Sequence, residues 1–291
     1  MPGGGTRTAI TTSSARCLDL TRLISRAGRG PLTGVDRVEM AYLSHLLQDE
    51  TPFFALARTG LGYVLLDRSG AAQIADRLQG RKAWGRIDAI GRLSFKASVA
   101  KRRAEADLRR FSIGRCRRAK LAQMLAQKLP HGIAYLNVGH SNLTDECLGA
   151  WQSMGAKISI LIHDTIPLDY PKYQRPGTPA QFEAKLQCVA RHADLVICNS
   201  YQTQEDVQRW FGQWGYQINT LVAHLGVELP KAEVGALPEG VDPNHPFFVT
   251  LGTIEPRKNH ALLLDVWDSL AQDVPPADLP HLYIVGTRGW E

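Results

Sequence analysis

From Ile133 onwards, short apolar segments alternate with amphipathic ones, and this alternation constrains the fold more than any other feature of the sequence. The clearest apolar segment is KISILI, Lys157–Ile162, whose β-branched character is typical of a strand buried on both faces. Thr178 and Pro179 open a capping-box pattern, which predicts a helix that runs to about His192. Strands and helices that alternate at this spacing predict a doubly wound parallel α/β sheet.

The sequence before Ile133 predicts further elements of the same sheet. Strands are expected at 17–20, 53–57 and 63–66, and a hairpin turn joins the last two. A helix is expected at 33–48. Residues 21–33 are predicted to form a long loop. Residues 1–15 lack the apolar core of a signal peptide, so we expect a disordered leader before an N-terminal α/β domain over 16–230.

The strand–helix alternation restarts after a stretch that is rich in Pro, Gly and Glu. Residues 231–245 are therefore predicted to be a linker. Strands are predicted at Phe247–Leu251 and His281–Val285, with a helix between them that ends near Asp273. Because one strand–helix–strand unit needs ~30 residues, 246–291 is expected to hold only the start of a second α/β domain.

The positive charge of the chain is concentrated in one segment. The net charge is +6, but Arg77–Lys120 contains fifteen Lys and Arg against three acidic residues, so it carries about +12 and the remainder about −6. The segment is predicted to be a mostly helical insertion. Its basic and apolar residues suit an anionic membrane surface, nucleic acid or an acidic substrate, and a solvated surface insertion is the alternative.

Several classes of site are disfavoured by what the sequence lacks. Its five cysteines are scattered without a CxxC pair, which argues for reduced thiols and against a disulfide framework or a zinc site. Neither a GxxxxGK[ST] loop nor a GxGxxG fingerprint is present, which disfavours ATPases and dehydrogenases. No carboxylate cluster suits magnesium, so neither a metal nor a cofactor is expected.

Two regions are candidates for chemistry. In parallel sheets, ligands bind at the carboxyl ends of the strands, and His163 and Asp164 directly follow KISILI. Asp164 could fix the tautomer of His163 or balance its charge. Gly34 stands at a predicted helix start, where the missing side chain would let a ligand approach the backbone.

The second region is the loop after the strand Phe247–Leu251. Gly252 and Thr253 are followed by the adjacent cations Arg257 and Lys258, and Asn259 can cap the next helix. Free backbone amides, the helix dipole and two cations favour an anion, and a phosphate or diphosphate is the natural ligand. A surface turn with two solvated cations is the alternative.

The order of these motifs resembles a known family. LGTIEPRKNHALLLDVW followed by LYIVGTRGW resembles the donor-domain opening of retaining glycosyltransferases of family 4, in the EPRKN-type subgroup. LDLTRLISR, TGVDRVEMAYL, SILIHDTIPLDYP and DLVICNS agree in the first half of the chain. The resemblance implies a GT-B fold, in which two Rossmann-like domains face each other and the C-terminal one binds most of a nucleotide-sugar.

The resemblance also implies roles for individual residues. Lys258 corresponds to the lysine that contacts the donor diphosphate, and Arg257 supplies a second positive charge. Thr253 stands where the family often has an arginine, directly after Gly252. His163, with Asp164 beside it, is similar to the family histidine near the reacting sugar, and Gly34 to the first-loop glycine near the donor phosphates.

The implied reaction is metal-independent transfer of a sugar from a nucleotide diphosphate sugar to a glycan or lipid-linked acceptor with retention, in cell-surface polysaccharide or lipopolysaccharide synthesis. The expected location is cytoplasmic, with Arg77–Lys120 in peripheral contact with an anionic membrane and no nucleic acid bound. The family's later glutamates have no counterpart in the sequence. The alternative function is therefore a truncated or degenerate chain that only binds acceptor, membrane or a partner. A third hypothesis is that the chain binds nucleic acid, and it depends on the basic segment alone.

Overall fold

The computed structural model describes residues 13–30, 32–94, 97–227, 235, 237–238 and 240–289. These residues divide into two compact units, one drawn from 1–165 and 180–225 and the other from 166–179 and 226–291. Most of the predicted leader, and most of the first half of the predicted linker, lie outside the described residues, so both stay predictions.

The described part of the first unit is built on one eight-stranded sheet of order β4-β3-β2-β1-β5-β6-β7-β8. β2, β1, β5, β6, β7 and β8 are parallel, whereas β3 and β4 are antiparallel to their neighbours. The strands are β1 Arg16–Asp19, β2 Phe53–Thr59, β3 Gly62–Asp67, β4 Gly114–Cys116, β5 Ala134–Asn137, β6 Lys157–Ile162, β7 Leu195–Cys198 and β8 Asn219–Val222. The predicted α/β class is confirmed, and the sheet is compatible with a Rossmann-like domain of the GT-B fold.

Helices connect these strands. They are α1 Thr21–Ser25, α2 Gly34–Gln48, α3 Arg68–Leu78, α4 Ala89–Arg92, α5 Val99–Arg110, α6 Leu121–Lys128, α7 Asp145–Ser153, α8 Ile166–Asp169, α9 Thr178–His192 and α10 Tyr201–Gln213. The side chains of five capping residues accept a backbone N–H in the first turn of the helix that follows: Asp67, Asp88, Ser98, Thr144 and Ser200. These caps satisfy amide groups that would otherwise lack a partner, and so fix where the helices begin.

The strand order changes direction at β1. β1 pairs with β2 on one side and with β5 on the other, so the chain first builds the sheet outward from β1 and then returns to build the opposite half. Such a reversal leaves a crevice at the carboxyl ends of the two strands, and ligands of open α/β sheets bind there. Asp19 ends β1 and Asn137 ends β5, so both lie at this position.

Two predictions for the first half need correction. α1 lies within 21–33, which was predicted to be entirely loop, because Thr21–Ser25 buries Leu23 and Ile24 against the core. The basic segment is less helical than predicted, because α4 is a single turn and β4 adds a strand to the sheet edge. Several of its arginines form ion pairs with Asp107 and Asp88, so part of its charge stabilises the fold.

The second unit contains α8, which lies between β6 and β7 in sequence. It also contains the parallel strands β9 Phe247–Leu251 and β10 His281–Val285, with α11 His260–Asp273 between them in sequence. Both strands match their predicted bounds. None of the described residues from 226 onwards belongs to the buried hydrophobic set, and Leu251 is 76% exposed. The apolar residues of this unit therefore enclose no core among the residues that the structure describes.

No described helix combines the length and the apolar character needed to cross a bilayer. The longest ones, α2 and α9, have 15 residues each and carry charged side chains.

Candidate functional site

A cluster of buried polar residues lies at the carboxyl edge of the first unit's sheet, where the strand order reverses. At its centre is Asp19, which is 2% exposed. Its carboxylate accepts hydrogen bonds from the Tyr135 hydroxyl at 2.8 Å, the Asn142 amide at 2.6 Å and the Thr21 backbone N–H at 2.9 Å. Burial raises the pKa of Asp19 in spite of these bonds. The network fixes the floor of the crevice.

A second buried acid, Glu39 of α2, lies beside Gly139. The Leu23 backbone N–H donates to Glu39 Oε1 at 3.3 Å, whereas Oε2 has no hydrogen-bond partner among the described residues. Burial raises the pKa of Glu39 well above its usual value, and the negative charge of Asp19 adds to this effect. A Cβ at position 139 would lie 2.1 Å from Glu39 Oε2, so any larger residue there would displace the buried Glu39 side chain.

His140 follows β5 and His163 follows β6. Each ring forms a hydrogen bond to a backbone carbonyl in or next to the strand that precedes the other histidine. His140 Nε2 lies 2.8 Å from the Leu161 carbonyl oxygen, and His163 Nε2 lies 2.8 Å from that of Val138. Since a carbonyl only accepts, each Nε2 carries the proton and each Nδ1 is left with a lone pair. The ring centroids are 5.2 Å apart.

Both histidines are neutral acceptors near pH 7. Burial, followed by the charge of His163, lowers the pKa of His140 to about 3. Burial also lowers the pKa of His163, and the negative charge of Asp164 opposes this effect. The tautomer of His163 is thus set by the Val138 carbonyl, and Asp164 acts on its charge.

Cationic side chains face the same crevice. Arg22 donates to Asp36 Oδ1 at 2.7 Å, and its charge lowers the pKa values of His140 and Lys185. Lys185 lies on α9 one turn after Phe182, whose ring centroid is 6.0 Å from that of His140. The pKa of Lys185 is lowered by burial and by the charges of Arg22 and Arg58. Neither Arg58 nor Lys185 has an ion-pair partner within the described residues, so the crevice is suited to an anionic group.

An open cavity of about 480 Å³ extends from His163 along the same edge. Its other lining residues are Asn199, Ser200, Thr203, His224 and Leu225. Thr203 Oγ1 donates to the Asn199 side chain at 2.9 Å and also lies 3.4 Å from the His163 carbonyl oxygen. The cavity is therefore polar on the histidine side and has the volume of a small-molecule pocket.

Gly34, the first residue of α2, has open space around its backbone, since a Cβ there would meet no atom of the described residues within 4 Å. The preceding Thr33 and the first-turn Asp36 form a capping box, with Asp36 Oδ2 accepting the Thr33 N–H at 2.8 Å. Asp36 also pairs with Arg22 and Arg26. The α2 N-terminus thus already holds one carboxylate, whose charge the two arginines offset.

In the second unit, the predicted diphosphate loop is compact. Gly252 has φ +152°, and the Lys258 Cε lies 3.9 Å from the position of a Cβ at residue 252. Arg257 forms an ion pair with Glu255. Lys258 has no ion-pair partner among the described residues, so it carries the uncompensated charge of the loop.

The helix start after this loop differs in part from the prediction. A 3-10 turn covers Pro256–Lys258, and Asn259 occupies the N-cap position of α11 with φ +51°. The predicted position of the cap is therefore confirmed, but the Asn259 side chain makes no capping hydrogen bond to the described residues. Asn tolerates the left-handed conformation, and this backbone property accounts for the residue here.

The structure brings the predicted residues together in two groups. His163, Asp164 and Gly34 belong to the first unit, whereas Gly252, Thr253, Arg257 and Lys258 belong to the second. Sequence reasoning missed the buried Asp19, Glu39 and Asn142 of this cluster and the half-buried Lys185 near it. One sequence signal could have revealed Asp19. It is an acidic residue at the end of the short, mostly buried strand RCLD.

Comparison with known proteins finds three curated relatives, all of which carry the same name. Three forms of the serotype-specific mannosyltransferase WbdA from Escherichia coli are 30–31% identical to this chain over 152 to 156 residues, about half of it. The matched part spans only 18–19% of each relative. No protein-family model matches the chain. No solved structure gives a significant match either.

Proposed function

We propose that this chain takes part in glycosyl transfer from a nucleotide diphosphate sugar to a glycan or lipid-linked acceptor, in cell-surface polysaccharide synthesis. The observation that carries the proposal is the histidine-lined crevice at the switch point of the sheet, in a chain about 30% identical over half its length to mannosyltransferases. We further propose that the chain belongs to the retaining enzymes of family 4 and that transfer keeps the anomeric configuration. A mannosyl donor is the first candidate because of the relatives' name.

In this proposal His163 holds the donor sugar. Its Nδ1 lone pair accepts a hydrogen bond from a sugar hydroxyl, since Nε2 is occupied by the Val138 carbonyl. The neutral ring suits this task, and Asp164 moderates its charge as an oxocarbenium-like centre develops. Gly34 leaves the start of α2 open to the donor phosphates.

The departing diphosphate is stabilised by the loop Gly252–Lys258. Lys258 supplies the main positive charge because Glu255 already offsets that of Arg257. Thr253 offers a backbone amide and a hydroxyl where related enzymes have an arginine. A lysine and backbone amides can stabilise a diphosphate leaving group, so the proposed reaction needs neither a metal nor a cofactor.

The acceptor side is formed by the first unit, and its basic segment makes peripheral contact with an anionic membrane at the cytoplasmic face. Leu93 and Val99 are 77% and 55% exposed, beside exposed Arg92 and Arg103. A cleft of about 360 Å³ near this surface is lined by Leu61, Ile90, Arg109, Arg115 and Arg117, among others. Apolar and cationic side chains side by side suit a lipid-linked phosphate.

A transfer assay tests the proposal. The chain is incubated with a panel of nucleotide diphosphate sugars, mannose donors first, and with membrane extract as acceptor, and sugar incorporation is measured. We expect Lys258→Ala to weaken donor binding about 10- to 100-fold in calorimetry, as loss of a charged hydrogen bond to phosphate would. We expect His163→Ala to lower kcat more than donor affinity. Unchanged donor affinity in Lys258→Ala would refute the role of that lysine.

One observation favours a second function, binding of acceptor, membrane or a partner without transfer. Phe247, Phe248, Val249 and Leu251 of β9 are all exposed in the unit that would hold the donor. An uncovered apolar strand is a weak scaffold for a precise donor site. If the chain binds anionic vesicles or acceptor glycans tightly but gives no donor binding and no turnover, this second function replaces the first.

A further inference from the structure

Three side chains that can ligate metals meet on the surface of the first unit, away from the histidine crevice. Asp145 is the first residue of α7, and Cys188 and His192 lie one turn apart on α9. One carboxylate oxygen, the Cys188 Sγ and a ring nitrogen of His192 all lie within 4.8 Å of one another. Cys188 is buried and Asp145 is exposed, so the group has a closed inner side and an open outer side.

The hydrogen bonds of His192 indicate which of its ring nitrogens faces the other two ligands. Its Nδ1 lies 2.8 Å from Gln152 Oε1, and its Nε2 lies 2.8 Å from Asp145 Oδ1. The Gln152 amide oxygen accepts a hydrogen bond, so the imidazole that donates its single N–H to this oxygen does so from Nδ1. Nε2 is then left with its lone pair on the side of Asp145, and this is the ring nitrogen that can ligate a metal ion.

We propose that Asp145, Cys188 and His192 bind one Zn²⁺ ion, with water in the fourth position. Thiolate, imidazole and carboxylate are the donor set that zinc prefers among the common divalent ions. Tetrahedral zinc places such ligand atoms about 3–4 Å apart, so the side chains need only a small inward shift. Gln152 orients the histidine from behind, as outer-shell acceptors do in zinc proteins.

The charges balance when the ion binds. The Cys188 thiol gives its proton to solvent, and the thiolate and the Asp145 carboxylate together offset the two positive charges of the zinc. Arg191 Nη2 lies 3.0 Å from both Asp145 oxygens, so it can keep one of them while the other binds the metal. The ion would join α7 to α9 and would take no part in sugar transfer.

This inference departs from the expectation that the sequence holds no zinc site. That expectation rested on the missing CxxC pair. Here the ligands come from two helices, and Asp145 and His192 are 47 residues apart. Such a spacing matches no short motif, so only the fold brings the three side chains together.

Titration of the reduced chain with Zn²⁺ in a calorimeter tests the site, and Co²⁺ serves as a spectroscopic probe of thiolate ligation. We expect one Zn²⁺ per chain and a thiolate-to-cobalt charge-transfer band. Cys188→Ser and His192→Gln should each weaken zinc binding at least tenfold and Cys188→Ser should abolish the band. The matched control is Cys116→Ser, a half-buried cysteine on β4, which should change neither.

Thermal unfolding with and without chelator separates ligand loss from misfolding. Zinc should raise the Tm of the wild-type chain and of Cys116→Ser, but not that of Cys188→Ser, provided that all three melt alike with chelator present. If the wild-type chain binds no zinc, or if Cys188→Ser binds zinc as tightly as the wild-type chain does, the proposal is wrong. Should the serine variant fail to fold, His192→Gln decides the matter by the same criteria.

Discussion

Two strands of this protein, β6 and β9, have similar sequences and very different surroundings. KISILI and FFVTL both consist mainly of large apolar residues, and both form strands at the bounds that the sequence predicts. In β6 the side chains of Ile158, Ile160 and Ile162 are fully buried between helices, whereas Leu251 of β9 is 76% exposed. The local sequence therefore decides that a strand forms, and the number of elements packed on it decides how much burial stabilises it.

The largest expected effect on stability is the difference between alanine substitutions at two tryptophans, one in each unit. Trp151 is fully buried and stacks on Tyr135 with ring centroids 4.5 Å apart, while Trp267 of α11 is only half-buried and donates to the Pro280 carbonyl. Trp151→Ala should cost about 3–5 kcal/mol of unfolding free energy because it opens a large cavity. Trp267→Ala should cost about 1 kcal/mol, mainly the hydrogen bond and partial burial.

Urea unfolding followed by circular dichroism measures both tryptophan variants. Trp151→Phe is the control, because it keeps most of the ring contact with Tyr135 and should recover much of the loss. Equal losses in Trp151→Ala and Trp267→Ala would show that the second unit is as well packed as the first, and would break the comparison.

A smaller effect is expected from two glycines of the first unit. At Gly139 an added Cβ would lie 2.1 Å from Glu39 Oε2 and 2.9 Å from Arg22 Cβ, so Gly139→Ala should destabilise the chain by about 1–3 kcal/mol. At Gly149, within α7, an added Cβ meets no atom within 4 Å, so Gly149→Ala should stabilise it by up to about 1 kcal/mol. Opposite signs in thermal unfolding support the crowded crevice, and a neutral Gly139→Ala would contradict it.

The sequence predicted the fold far better than the site. Apolar runs and caps are local, so strands such as Lys157–Ile162 and helices such as Thr178–His192 were predicted within one residue of their observed bounds. The crevice depends on contacts between residues far apart in the chain, as between Asp19 and Asn142 or His163 and Val138. Lys185 was missed for the same reason, since its helix alone gives no sign that it faces Arg22 and Arg58.

The pH dependence of stability tests whether the crevice of the first unit is as buried as the comparison of the two units implies. Burial lowers the pKa of His140 from 6.5 to about 3, so the unfolded chain binds its proton more readily than the folded chain does. Stability from this group is therefore present above pH 6.5 and is lost as the pH falls towards 3. The buried carboxyls of Asp19 and Glu39, whose pKa values are raised, act in the opposite direction as the pH rises above about 4.

Between pH 7 and pH 5, His140 should cost the wild-type chain about 1–2 kcal/mol of unfolding free energy, because one pKa unit corresponds to ~1.4 kcal/mol. In this range the two carboxyls oppose the loss of unfolding free energy. Glu39→Gln should therefore make this loss larger, whereas His140→Gln should make it smaller. Urea titrations at the two pH values measure all three proteins. If His140→Gln keeps the full wild-type slope, the ring is solvated, and the buried crevice of the first unit is more like the open second unit than the structure indicates.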